Sequence, residues 1–302
     1  MNSKKKVLIT GSNGMLGKDI EYLFQSSDEF EVFGINRTVD KKLDSNHSIA
    51  CDITNFKELD IILNRIIPDI IIHCAANINV DGCEQDKEYA YKLNVKSTNI
   101  LSSYNPNSTK FIYISTDSVF DGKDGNYSEQ NRTNPLNYYA ITKFQGEQIA
   151  LENNKNTIVI RTNIYGFHKS EGNSLVEWAL KNLKNLNEIS GFNDVYFNPL
   201  YTKQLAKIII NLVKRDFKGI IHTGCDEFIT KNEFLIELAK KFKLNTMLIN
   251  GVSVETKIFN ATRPKNTTLC TDELKSLINF EVSISQGLEE LYYDYQEIRG
   301  DY

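Results

Sequence analysis

Residues 7 to 17 read Val7-Leu8-Ile9-Thr10-Gly11-Ser12-Asn13-Gly14-Met15-Leu16-Gly17. A short apolar run ends in three glycines at three-residue intervals. It then passes directly into a segment that carries Ile20, Leu23 and Phe24 on one side of a helix. Glycines at a strand-to-helix turn let the backbone approach a pyrophosphate, whose charge then sits at the N-terminus of the helix. Three glycines alone fit any tight strand–helix turn; the strand before and the helix after select the dinucleotide reading. Gly11, Asn13, Gly14, Met15, Leu16 and Gly17 are therefore candidate cofactor-binding residues.

Outward from this turn, short apolar runs alternate with amphipathic segments. Strands are expected at Lys6–Thr10, Glu31–Ile35, Ile70–Ala75, Lys110–Ser115, Thr157–Arg161 and Gly219–His222. Helices are expected at 14–26, 55–67, 84–103, 136–152 and 202–214, the last with Leu205, Ile208, Ile209 and Leu212 on one stripe. Such alternation implies an α/β fold: a parallel, doubly wound sheet with right-handed crossovers and helices on both faces. From about residue 165 the rhythm loosens, with helices near 230–242, 271–279 and 285–297. A nucleotide-binding domain over 1–164, with 190–222 partly returning to it, and a smaller, interrupted C-terminal lobe over 165–302 would explain this.

The 302 residues carry 35 Lys and Arg against 39 Asp and Glu, a net charge of -4. That balance gives no general attraction to nucleic acid or to an anionic membrane, so an anionic substrate must be met by local cations. The five cysteines, at 51, 74, 83, 225 and 270, are odd in number and form no CxxC pair. They suggest buried thiols in a reducing compartment. The apolar run after the basic first residues is too short for a signal segment or a membrane span, so a cytoplasmic protein is expected. No carboxylate cluster has a spacing that compels a metal.

The second strand bears on the cofactor. An NAD site usually presents an acid there for the ribose hydroxyls. Here the strand ends Gly34-Ile35-Asn36-Arg37, with Lys41 and Lys42 following. A missing acid beside a guanidinium suits the 2′-phosphate of NADP, so NADPH is expected, with NADH possible. Asp52 and Ile53 are placed for the adenine edge. Further on, Tyr139-Ala140-Ile141-Thr142-Lys143 puts a phenol and an ammonium on one helical face, with Asn134 as cap and Pro135 in the first turn. A phenol titrates near 10, so proton exchange near neutrality needs help worth about 4 kcal/mol.

Gly11-x-x-Gly14-x-x-Gly17, His73-Cys74-Ala75-Ala76, Asn94-Val95, Ser115-Thr116-Asp117, Val119-Phe120-Asp121-Gly122, Tyr139-x-x-x-Lys143, Arg161-Thr162 and Arg263-Pro264-Lys265 follow in this order. The chain resembles an extended short-chain dehydrogenase/reductase, and within it the dTDP-4-dehydrorhamnose reductase family. The resemblance implies a Rossmann sheet and NADPH-dependent reduction of the C4 ketone of a nucleotide-linked 4-keto-6-deoxy sugar, for deoxysugar and surface-polysaccharide biosynthesis. It makes Tyr139 the general acid, Lys143 the residue that binds the nicotinamide ribose and depresses the Tyr139 pKa, and Thr116 a hydrogen-bond donor to the developing alkoxide. Asn94 would position a helix and a relay water. Ala75, Ala76 and Asn77 would lie against the cofactor, and Asp117, Ser118 and Arg263 against the substrate. Members occur as monomers and dimers, so a homodimer is compatible.

Departures from the family pattern fall on the sugar-facing wall. Ser118 stands where the reductases usually have a tyrosine, and Arg161-Thr162-Asn163-Ile164-Tyr165-Gly166 departs from a segment in which they usually carry an aromatic. Related 4,6-dehydratases carry an Asp-Glu pair after the threonine, because elimination of water needs an extra acid and base; Ser118 argues against that reaction. A 4-epimerase is compatible with Ser118, but it holds NAD tightly and Arg37 favours NADP. The family also includes a regulatory subunit of methionine adenosyltransferase, so a non-catalytic NADP-binding subunit is the alternative of another class.

Overall fold

A computed structural model describes residues 3–38, 47–170 and 172–299. Six parallel strands, β1 (Lys5–Thr10), β2 (Phe30–Asn36), β3 (Ser48–Ala50), β4 (Ile70–His73), β5 (Lys110–Ile114) and β6 (Thr157–Thr162), are joined by the strand Gly219–Thr223. From one edge the order is Gly219–Thr223, β6, β5, β4, β1, β2, β3. Every pairing is parallel. Strand order reverses between β1 and β4, so a crevice opens beyond their carboxyl ends, where such sheets bind ligands.

The strands read as near-continuous apolar runs because helices cover both faces. Val7, Ile9, Ile72, Ile112 and Ile160 pack on one face with Ile20 and Phe24 of helix α1 (Gly17–Gln25). Leu8, Ile71, Phe111, Tyr113 and Val159 pack on the other with Leu59, Ile62 and Leu63 of α2 (Phe56–Ile66). Alternate residues of each strand thus serve opposite layers, as a period of two requires.

The segment expected as one helix over 84–103 is broken. It runs as α3 (Val80–Gln85), α4 (Lys87–Tyr91), a π-turn over Lys92–Lys96 and α5 (Ser97–Ser103). Asp86 ends α3 and caps α4, its carboxylate accepting from the Tyr89 N–H at 2.9 Å. The π-turn, which contains Asn94, widens the helix by one residue over Lys92–Lys96, a distortion that periodicity does not reveal and that is common at functional sites. Next comes α6 (Tyr138–Asn153), capped by Asn137, whose side chain accepts from the Ala140 N–H at 2.9 Å. The cap is not Asn134: its side chain instead donates to Asp121 at 3.1 Å.

Beyond β6 lie α7 (Leu175–Lys184), α8 (Thr202–Lys214), α9 (Lys231–Lys241), α10 (Asp272–Leu277) and α11 (Ile284–Arg299). Three two-stranded ladders accompany them: Ile164–Tyr165 with Leu200–Tyr201, Tyr196–Phe197 with Ile229–Thr230, and Ile189–Phe192 with Ile249–Val252. Trp178 of α7 packs partly buried against the same core as Val7 and Ile9. Among the described residues no helix is long and apolar enough to cross a membrane, and all five cysteines are free thiols.

One buried ion pair ties the sheet to α6. Arg161 of β6 and Glu147 of α6 are 3% and 1% exposed, with Nη2–Oε2 at 2.8 Å and Nε–Oε1 at 3.1 Å. The Ser115 hydroxyl, just past β5, donates to the same carboxylate. Replacing Arg161 by methionine should cost about 3–5 kcal/mol, since it strands a buried carboxylate, whereas Arg161→Met combined with Glu147→Leu should recover most of the loss. Urea denaturation of the two variants checks this.

Candidate functional site

The crevice between β1 and β4 is built on glycine. Gly11 adopts φ of +71°, a conformation open to glycine at little cost, and its N–H donates to Ile35 O at 2.7 Å. A Cβ on Gly17 would stand 2.2 Å from Gly11 O, so only glycine lets α1 start so close to the turn. No side chain caps α1, which leaves the helix N-terminus available to an anion.

Asn36 accounts for the missing acid at the end of β2. Its Oδ1 accepts from the Asn13 N–H at 2.6 Å and its Nδ2 donates to Ser12 Oγ at 2.8 Å, all within the protein. The residue therefore locks the glycine loop while it also lines the cleft. Arg37 beside it is exposed. Lys41 and Lys42 lie outside the described residues.

A cleft of about 680 Å³ runs from this loop across the strand ends. At one end it is lined by Gly11, Gly14, Met15, Leu16, Arg37, Asp52 and Ile53, and at the other by Thr116, Tyr139 and Lys143, with Ala75 and Ala76 between. Asp52 also accepts from the N–H and hydroxyl of Thr54, both at 2.8 Å. The uncapped helix start, the close glycine backbone and the exposed guanidinium fit a dinucleotide with an added phosphate. Among the described residues no group of three His, Cys, Asp or Glu side chains is placed to hold a metal.

At the reacting end, Tyr139 and Lys143 lie one turn apart on α6. The Lys143 ammonium donates to Ile114 O at 2.6 Å and sits 4.2 Å from the Tyr113 ring centroid. Burial pushes its pKa down to about 8, opposed by the Glu147 carboxylate and by Cys74. Burial likewise pushes the Tyr139 phenol above its ordinary range; a hydrogen bond with Thr116 opposes this and the Asp117 carboxylate adds to it. The net shift of Tyr139 is upward, because desolvation dominates. At neutral pH the phenol is protonated and the lysine charged.

Asn94 is 1% exposed. The π-turn points its amide at the loop after β4, where Oδ1 accepts from the Asn77 N–H at 2.7 Å. Nδ2 donates to Asn77 O at 3.2 Å and to Thr142 Oγ1 on α6 at 3.0 Å. Asn77 is thus held through its backbone by Asn94, and neither lines the cleft.

Three residues expected against substrate are placed differently. Asp117 is 2% exposed and its carboxylate is saturated. Oδ1 accepts from Thr116 at 3.1 Å and Ser118 at 3.2 Å, and Oδ2 from Asn163 at 2.8 Å and Thr267 at 2.6 Å. Ser118 is committed to the same knot. Arg263 lines a separate hollow beside Asp121, Asp194 and Tyr196 and is ion-paired to Asp81 at 2.6 Å. Glu147, four residues beyond Lys143, and Thr267 carry no sequence pattern that singles them out, and Asn163, noted as a departure from the family pattern, turns out to donate to Asp117.

The profile of the RmlD substrate binding domain family matches residues 5–296. A methionine adenosyltransferase 2 subunit beta of Bos taurus is 30% identical over 305 residues, covering 94% of this chain and 87% of that one. A dTDP-4-dehydrorhamnose reductase of Aggregatibacter actinomycetemcomitans is 26% identical over 292 residues, covering 92% and 95%. The solved dTDP-4-dehydrorhamnose reductase of Bacillus anthracis, in complex with NADP, superposes with a TM-score of 0.85 at 29% identity over 97% of this chain and all of that one.

The Lys143 ammonium should titrate near 8, well below the ordinary lysine range, and Glu147→Gln should move it lower still by removing the charge that favours the ammonium. NMR titration of ¹³C-methylated lysines against Lys143→Met identifies the resonance. With its alternating strands and helices, its glycine loop and its Tyr139/Lys143 turn, the chain belongs to the RmlD substrate binding domain family of extended short-chain dehydrogenases/reductases.

Proposed function

We propose that this protein reduces the C4 ketone of a nucleotide-linked 4-keto-6-deoxy sugar, using NADPH. The observation that carries the reading is a protonated phenol, Tyr139, lining with Thr116 and Lys143 the far end of a dinucleotide-shaped cleft from Arg37. NADPH bound along the cleft supplies a hydride to the carbonyl carbon. The chain's own residues then handle the proton and the charge. Tyr139 gives its proton to the carbonyl oxygen. The Thr116 hydroxyl turns from Asp117 to that oxygen, leaving Asp117 three other donors. Lys143 holds a positive charge one turn from the phenol and favours the phenolate left behind. The C-terminal part, from residue 165, supplies the substrate side of the site.

Ser118 supports reduction over dehydration, since its hydroxyl is donated to Asp117 and no second acid follows Thr116. Similarity to the methionine adenosyltransferase subunit keeps a second reading in view, a cofactor-binding subunit without turnover.

NADPH oxidation followed by absorbance, with dTDP- and UDP-linked 4-keto-6-deoxy sugars, tests the proposal. Tyr139→Phe should lower kcat by about 10²- to 10⁴-fold while leaving NADPH affinity unchanged. If the wild-type protein binds NADPH tightly and turns over no keto sugar, the enzyme reading is wrong and the subunit reading takes its place. On the cofactor side, Arg37→Ala should weaken NADPH about tenfold and leave NADH within about twofold, measured by fluorescence titration.

A further inference from the structure

A substrate that carries a diphosphate needs a cation on the C-terminal side of the site, and the obvious ones are engaged. Arg263 is paired to Asp81 and lies over the Phe259 ring at 4.9 Å. Lys265 is paired to Glu255 at 2.5 Å and to Asp194 at 3.6 Å, and Lys123 to Asp121 at 3.7 Å.

Lys231 is different. It is the first residue of α9, directly after Thr230, whose capping box with Glu233 fixes the first turn. Its own N–H donates to Val195 O at 2.9 Å. The backbone is thus anchored, yet the side-chain ammonium has no hydrogen bond or ion pair with any described residue. It rests 3.3 Å from the ring centroid of Phe197, itself 2% exposed. Thr230, the residue before Lys231, pairs with Tyr196, whose carbonyl accepts from the Thr267 N–H at 3.2 Å, and the Thr267 hydroxyl donates to Asp117 at 2.6 Å, so the start of α9 lies close to the Thr116–Asp117 turn. Asp117 cannot satisfy Lys231, because both carboxylate oxygens already accept two hydrogen bonds each. Lys231 is half-buried, and its ammonium keeps three donors for an incoming acceptor.

We propose that Lys231 is an anion-binding residue of the substrate site and that it takes a phosphate oxygen of a nucleoside diphosphate. The proposal rests on the sugar-nucleotide reading of the site and adds the group that holds the substrate's charge. The aromatic face beneath the ammonium favours the cation and leaves its donors directed away from the ring. Burial pushes Lys231 down to about 8, a shift that an incoming anion opposes by favouring the charged form. A lysine meets phosphate as a point charge, so this contact holds any nucleoside diphosphate and leaves the choice of base to other residues.

Calorimetric titration with dTDP, UDP and inorganic pyrophosphate tests this on wild type, Lys231→Met, Lys231→Gln and Lys231→Arg, with NADPH affinity as the control for folding. The methionine and glutamine variants should each bind the diphosphates about tenfold or more weakly. The arginine variant should stay within about threefold of wild type, and NADPH affinity should not change. Binding of dTDP and pyrophosphate within about twofold of wild type by either uncharged variant overturns the proposal, as does a wild-type protein that binds no diphosphate. If diphosphate binding depends on Lys231 while no keto sugar oxidises NADPH, the ketoreductase reading fails and the assignment of Lys231 stands. If keto sugars are reduced with unchanged KM by Lys231→Met, the assignment fails and the ketoreductase reading stands.

Discussion

The Arg161–Glu147 pair is the constraint on which the geometry of the site depends. Three elements line one end of the cleft: the end of β5 with Thr116, α6 with Tyr139 and Lys143, and the end of β6 with Thr162 and Asn163. A single carboxylate touches all three, through Ser115, through its own helix and through Arg161. A buried ion pair adds little to stability over an apolar pair of the same shape. What it adds is a requirement for one arrangement, because any shift of α6 along β5 or β6 strands a charge in a dry interior. The knot extends further, since Arg161 Nη1 approaches His222 Nε2 at 3.4 Å. The His222 Nδ1 faces Tyr127 O at 2.9 Å. A carbonyl only accepts, so Nδ1 carries the proton and Nε2 accepts from arginine. Burial and the Arg161 charge hold this ring neutral, its pKa pushed down to about 3.

A second line of polar contacts runs under the cofactor cleft in one direction. The Ala75 N–H donates to Thr10 Oγ1 at 3.2 Å, Thr10 contacts His73 Nδ1 at 2.7 Å and His73 Nε2 contacts Thr98 at 3.1 Å. Thr98 then donates to Asn94 O at 2.7 Å. Each hydroxyl has one proton to give, so the order of donation is fixed only if His73 is neutral with its proton on Nε2. Burial and the nearby Lys143 charge, which push His73 down to about 3, keep it so. The turn at Asn94 and the strand end that lines the cleft are thereby set with respect to each other.

Much of this was legible in the sequence because it follows from local rules. The parallel sheet is written in apolar runs such as Val7-Leu8-Ile9 and Ile70-Ile71-Ile72, and the crevice in the spacing of Gly11, Gly14 and Gly17. Tyr139 and Lys143 fall together because four residues make one turn. What was not legible depends on partners distant in the chain. Asn134 is the expected cap of α6, but Asp121 engages it and Asn137 caps the helix instead. Asp117 looks like a substrate ligand beside Thr116 until Thr267, 150 residues away, fills its last acceptor position. Arg263 keeps its motif yet faces Asp81, a partner that only the fold brings near.

Burial moves the two titrating groups of the site in opposite directions, the Tyr139 phenol up and the Lys143 ammonium down, because in both it opposes charge. The same cause has unequal consequences at neutral pH. The phenol stays protonated and is therefore a ready donor, while the lysine, still titrating near 8, remains mostly charged. A proton donor that holds its proton too firmly is a poor acid, so the proposed reduction requires the site to favour the phenolate only as the carbonyl oxygen gains charge. Lys143 is positioned for that: the Ile114 carbonyl and the Tyr113 ring fix its charge one turn from the phenol, where a flexible lysine would be drawn to solvent. The desolvation that raises Tyr139 also strengthens the field of that fixed charge, which makes burial a condition of the chemistry as much as an obstacle to it.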